Sequence, residues 1–178
     1  MLSSRVSGKL DRTLGGEAAL LEHVPSGLQT VSEKGTQNQN PFRRSLYILA
    51  RRNYPLDFLE AFDYPKMQVN CIRRFNSVTP IQSLTFMNDP FLVEQASQLA
   101  QRIWEQAGNS PKQRVELAYI MTLSRRPVPA EIEVSQDHLR QQEQNYHLAN
   151  TSAEQASQSA LANLCQTLLS TNEFLYLD

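Results

Sequence analysis

From residue 79 onward the apolar positions recur at the spacing of one helix face, whereas the first forty residues keep no sustained period. Leu92, Ala96, Leu99 and Ile103 stand at i, i+4, i+7 and i+11, with Val93, Ala100 and Trp104 beside them. Asp89-Pro90 supplies a cap followed by a first-turn proline, and Gly108 stands where such a helix ends. The pattern therefore predicts a helix from 90 to about 106. Thr79-Pro80 repeats the opening and predicts a shorter helix over 80–87. Ser110-Pro111 opens a third, through Val115, Ala118, Met121 and Thr122, with Leu117 and Ile120 widening its apolar face. Pro127 and Pro129 stop that helix near Arg126. A more polar helix starts at Pro129 and carries Ile132, Leu139 and Tyr146. In the last helix, over 152–170, Ala153, Ala156 and Ala160 give way to Leu161, Leu164, Leu168 and Leu169. Alanines allow close helix–helix approach, and leucines fill the space beyond.

Upstream the signal is weaker. Residues 10–16 offer a turn and residues 18–22 a helical turn, while 31–40 is polar and aperiodic and reads as an exposed linker or loop. Leu46-Tyr47-Ile48-Leu49-Ala50 is a short apolar run between arginine pairs; it reads as a strand, although its length also fits a helical turn. Leu56, Leu59, Glu60 and Phe62, ended by Pro65, predict a short helix over 55–62. The expected fold is mainly α: an irregular N-terminal segment with at most a short strand, followed by a four- to five-helix array. Residues 1–40 are expected as a poorly structured segment and linker, and 41–178 as a single mainly helical domain.

Composition permits this. The chain has 178 residues, about one domain, and is 40% hydrophobic and 20% charged, enough for a real core. Its net charge of −1 provides no global field for nucleic acid or an anionic membrane. The distribution is uneven. Residues 41–80 carry seven basic and three acidic side chains, a net +4, while 127–178 set Arg140 against seven acids, a net −6. The two segments either neutralise one another, or the first offers an anion-binding patch. No apolar stretch approaches the roughly 18 residues of a membrane span. The first ten residues lack the apolar centre of a secretory signal; taken as the natural start, they imply a cytoplasmic chain.

Candidate chemistry is sparse. The sequence has no glycine-rich phosphate loop, dinucleotide fingerprint, nucleophile elbow or HExxH zinc motif. It has no CxxCH for attaching c-type haem, and Cys71 and Cys165 lack metal-site spacing. Cys165 sits in an apolar run and reads as a buried small hydrophobe, while Arg73 and Arg74 stand close to Cys71. His138, His147 and the nearby Glu143 and Asp137 read as solvated helix residues. Asp57 and Glu60, at i, i+3, suit either a surface pair or paired carboxylates. The arginines are the unusual feature. Four adjacent pairs, Arg43-Arg44, Arg51-Arg52, Arg73-Arg74 and Arg125-Arg126, occur in a chain with only four lysines. Guanidinium is favoured where a planar fork meets carboxylate or phosphate. The pairs either hold loops to the acidic helices or converge on a ligand. In the second case Arg44, Arg52, Arg73 and Arg74 are the anion-binding candidates and Asp63 the acid/base candidate.

The order of several segments resembles a known family. Leu10-Asp11-Arg12-Thr13-Leu14-Gly15-Gly16 is followed by Arg43-Arg44-Ser45-Leu46-Tyr47, Leu59-Glu60-Ala61-Phe62-Asp63 and Cys71-Ile72-Arg73-Arg74. Then come Thr79-Pro80-Ile81-Gln82-Ser83-Leu84, Met87-Asn88-Asp89-Pro90 and the ending Asn172-Glu173-Phe174-Leu175-Tyr176. This is similar to the C-terminal part of the domain of unknown function 1553. The resemblance implies a planctomycete-type, exported protein, often with a cytochrome c-like domain upstream, so that any haem belongs there and no cofactor to this chain. It also implies a possible fragment of something longer. It carries no catalytic residue with it. The function expected is a non-catalytic scaffold or interaction module, with other domains of a larger family protein or a homologous chain as partner. The alternatives are an enzyme portion acting on an anionic or carbohydrate substrate through Arg44, Arg52, Arg73 and Asp63, or an anion-binding module.

Overall fold

The computed structural model of the chain describes residues 2–23, 29–31, 42–50, 56–62, 80–108 and 110–175. They divide into two compact units, one drawn from residues 9–85 and the other from 2–8 together with 86–178. The fold is mainly α.

The second unit begins with α1 (Leu2–Ser7), an element the polar, serine-rich sequence does not announce. It forms because small residues allow close packing: Ser3, Ser4 and Ser7 are buried, and Ser7 Oγ donates to Gln95 Oε1 at 2.6 Å. Gly8, at φ +85°, ends the helix, and the Arg102 guanidinium holds the Val6 carbonyl at 2.8 Å.

In the first unit, β1 (Leu21–His23) pairs antiparallel with β2 (Gln29–Val31), Leu21 opposite Val31 and His23 opposite Gln29. Two isolated bridges add to this, Asp11 with Arg43 and Ala19 with Ile48. Two local expectations are corrected here. Residues 18–22 are extended, because Ala19 exchanges backbone hydrogen bonds with Tyr47 and Leu49, at 2.7 and 2.8 Å. The run at 46–50 is no strand: Ser45–Tyr47 is one turn of 3₁₀ helix, closed by Tyr47 N–H to the Arg44 carbonyl at 2.8 Å. Leu46 is left 78% exposed while Ile48, the next extended residue, is buried with Leu21 and Leu56. The short α2 (Asp57–Ala61) follows, and Phe58 packs against Phe62 with ring centroids 5.1 Å apart. Residues of α3 (Pro80–Asn88) fall in both units.

The helical unit continues as expected. In α4 (Pro90–Ala107) Asp89 caps with Oδ1 accepting from Phe91 N–H at 2.9 Å, and Gly108 turns the chain out at φ +59°. Ser110 caps α5 (Pro111–Leu123), which ends where Ser124 adopts the left-handed conformation and returns its N–H to the Ile120 carbonyl. Val128 has no polar side chain to cap α6 (Pro129–Leu148), so Glu131 supplies half of a capping box by accepting from Val128 N–H at 2.8 Å. Ser152 caps α7 (Ala153–Leu169), and α8 (Asn172–Leu175) closes the array.

Helix α7 packs against both α4 and α6 and also meets α5. Ala156 and Ala160 are fully buried, as are the α4 residues Ala96, Leu99 and Ile103. Ala160, Leu161, Leu164, Cys165, Leu168 and Leu169 join Val115, Ala118, Leu139 and Phe174 in one core. Ala153, in contrast, is exposed. Each fully buried leucine contributes about 1.5–3 kcal/mol relative to exposure, which makes this cluster the source of the unit's stability.

Candidate functional site

Arg43 is 1% exposed, and its guanidinium donates to the carbonyls of Glu17 at 2.8 Å, Thr13 at 3.3 Å and Gly15. It also lies over the Tyr47 ring, 4.1 Å from the centroid. The loop that surrounds it is shaped locally. Asp11 Oδ1 accepts from Thr13 N–H at 2.8 Å, and Gly15 and Gly16 take φ of +73° and +84°, which a side chain resists. Gly15 N–H donates to Tyr47 Oη at 3.3 Å. That hydrogen bond, with the neighbouring Arg44 and Arg43 charges, draws the Tyr47 phenol below its ordinary value despite partial burial. The arrangement is a folded arginine–tyrosine staple.

Of the candidates named from the sequence, Arg44 is placed beside this staple. It is exposed, with its guanidinium 5.6 Å from the Tyr47 ring. Arg52, Arg73, Arg74 and Asp63 lie outside the described residues, as do Arg51 and Cys71. Cys165 is buried as expected, and burial pushes its thiol well above the ordinary range.

Arg125 is a second staple. It pairs with Glu131, NH1 and NH2 each 2.8 Å from a carboxylate oxygen, and with Glu173, Nε at 2.6 Å and NH2 at 2.8 Å. This joins the α5–α6 corner to α8. The Arg125 hydrogen bonds pull Glu131 down to about 2, helped by Val128 N–H, and lower Glu173 as well.

Sequence reasoning missed a cleft of about 280 Å³ that opens between the start of α5 and the facing sides of α6 and α7. Arg114, Gln136, Arg140, Glu143 and Ser157 meet there over Leu139 and Leu161. Arg114 is 7% exposed, stacked on Trp104 at 3.4 Å, and its Nε donates to the Gly108 carbonyl at 2.7 Å. Burial lowers its pKa, and the charge of Glu143 opposes that shift. Glu143 Oε1 accepts from Ser157 Oγ at 2.5 Å, and Arg140 pairs with Asp137 at the rim. The one signal in the sequence was an arginine inside the apolar face of α5, adjacent to Val115.

No curated protein sequence and no solved structure matches the chain significantly. A family model does, over residues 3–139, three quarters of the length, including the arginine–tyrosine staple and half of the residues that line the cleft. The chain therefore belongs to the family described as PSD1, protein of unknown function DUF1553.

Proposed function

We propose that this chain is a non-catalytic scaffold or interaction module of a larger family protein and packs against that protein's other domains. The supporting observation is how three of the described arginines are engaged. Arg43 gathers three backbone carbonyls, Arg102 holds the end of α1, and Arg125 clamps α6 and α8 through two carboxylates. A guanidinium used in this way fixes loops and helix ends without a ligand. Such a frame presents a defined surface to a neighbour. The likeness of the ordered motifs to planctomycete-type proteins supports an exported protein with a cytochrome c-like domain elsewhere in it, where haem would be held.

The test is reconstitution. The chain and the remaining domains of a full-length family protein are produced as separate polypeptides and mixed. Stoichiometric co-elution on size exclusion is the expected result. Independent elution at concentrations well above those of a stable complex refutes the reading.

A further inference from the structure

The cleft between α5, α6 and α7 points to a ligand, and we infer that it binds a small hydroxylated monocarboxylic acid. Its volume of about 280 Å³ holds on the order of ten non-hydrogen atoms, at about 30 Å³ for each water-sized group. The walls carry both signs of charge. Arg114 and Arg140 provide two guanidinium groups, and Glu143 provides one carboxylate beside Ser157. A single ligand carboxylate is matched by the exposed Arg140 guanidinium, with the Arg114 charge behind it. A second negative charge is opposed by Glu143, so phosphate and dicarboxylates are disfavoured. Hydroxyl groups suit the other polar lining, because the ionised Glu143 only accepts, and the Gln136 amide and Ser157 hydroxyl both donate and accept. Leu139 and Leu161 offer an apolar floor to the carbon chain.

The site is also able to respond. Among the described residues Arg140 pairs at the rim with Asp137, with side chains 68% and 53% exposed. An exposed pair of that kind contributes little and yields to an incoming carboxylate. Arg114, buried against Trp104 and bonded to the Gly108 carbonyl, is fixed in the lining and adds its charge to that of Arg140. This inference is independent of whether the chain docks onto other domains.

The experiment is an amide NMR titration of the chain at constant ionic strength with sodium D-gluconate, sodium butyrate, glycerol and sodium phosphate. Gluconate is expected to shift the amides of Gln136, Arg140 and Ser157 saturably, and more tightly than the other three. Arg140→Gln, at an exposed position that leaves the spectrum otherwise intact, should weaken gluconate by about tenfold, the loss of one charge-assisted hydrogen bond. Glu143→Gln should raise the affinity for phosphate. The inference is overturned if gluconate leaves these amides unmoved, if butyrate binds as well, or if Arg140→Gln changes nothing.

Discussion

Ala160 lies in the centre of α7 with no exposed surface, inside the cluster shared with α4 and α5. If alanines at 156 and 160 set how closely α7 approaches its neighbours, Ala160→Leu has no void to fill. Three added carbons bring about 2.4 kcal/mol of favourable transfer at about 0.8 per carbon. Overpacking must then overcome that gain, and the net penalty for extra methylenes in a filled core is about 1–3 kcal/mol. Leucine and alanine differ little in helix propensity, so the helix itself does not decide the outcome. The control is Ala153→Leu at the exposed start of the same helix, which should change stability by no more than about 0.5 kcal/mol. Urea unfolding of both variants, followed by far-ultraviolet circular dichroism, gives the midpoint shift at unchanged slope. A neutral or stabilising Ala160→Leu would show that α7 leaves space at 160, and the account of the helix packing would be wrong.

Three further outcomes are expected. Arg125→Gln should lower the urea midpoint at pH 7, and the gap from the unaltered chain should close as pH falls. Glu131 sits at about 2 in the folded state, below its unfolded value near 4.3, so the clamp is fully present above about pH 5 and lost on the way to 2; a gap that persists at pH 2 contradicts the ion-pair account. Arg43→Lys should cost about 2–3 kcal/mol, because one ammonium cannot reproduce a fork that holds three carbonyls; protection of the Asp11 amide in hydrogen exchange reports it, and unchanged protection argues against the staple. Cys165 should resist iodoacetamide in the native chain and react on unfolding, since burial removes access and raises its pKa; peptide-resolved mass spectrometry showing native alkylation at 165 would be inconsistent with the packed core.

The helical half was readable because its punctuation is local. Asp89-Pro90, Ser110-Pro111 and Ser152 each carry their own capping chemistry, and Gly108 its own exit. The four-to-five-helix array follows from those signals and the leucine spacing. Upstream, the deciding contacts are distant. Ala19 is extended because Tyr47 and Leu49 bind its backbone, and α1 exists because α4 offers it a buried glutamine and an arginine. No window of neighbouring residues contains either fact. The arginine pairs were legible as unusual, yet within each described pair the members differ. Arg43 is buried and Arg44 exposed, and Arg125 is clamped at a corner by a glutamate 48 residues away. The cleft was hidden because Arg114, Glu143 and Ser157 come from three helices and form no motif.

The family model ends at residue 139, nine residues short of the end of α6 and before α7 begins. Yet α7 is the helix against which the stripes of α4, α5 and α6 are buried. A fragment cut at that boundary would carry Leu99, Ile103, Val115 and Leu139 without their α7 partners, and is expected to bind apolar dyes as a loosely packed state. The cover for apolar stripes inside the matched region is thus supplied in good part by a helix outside it.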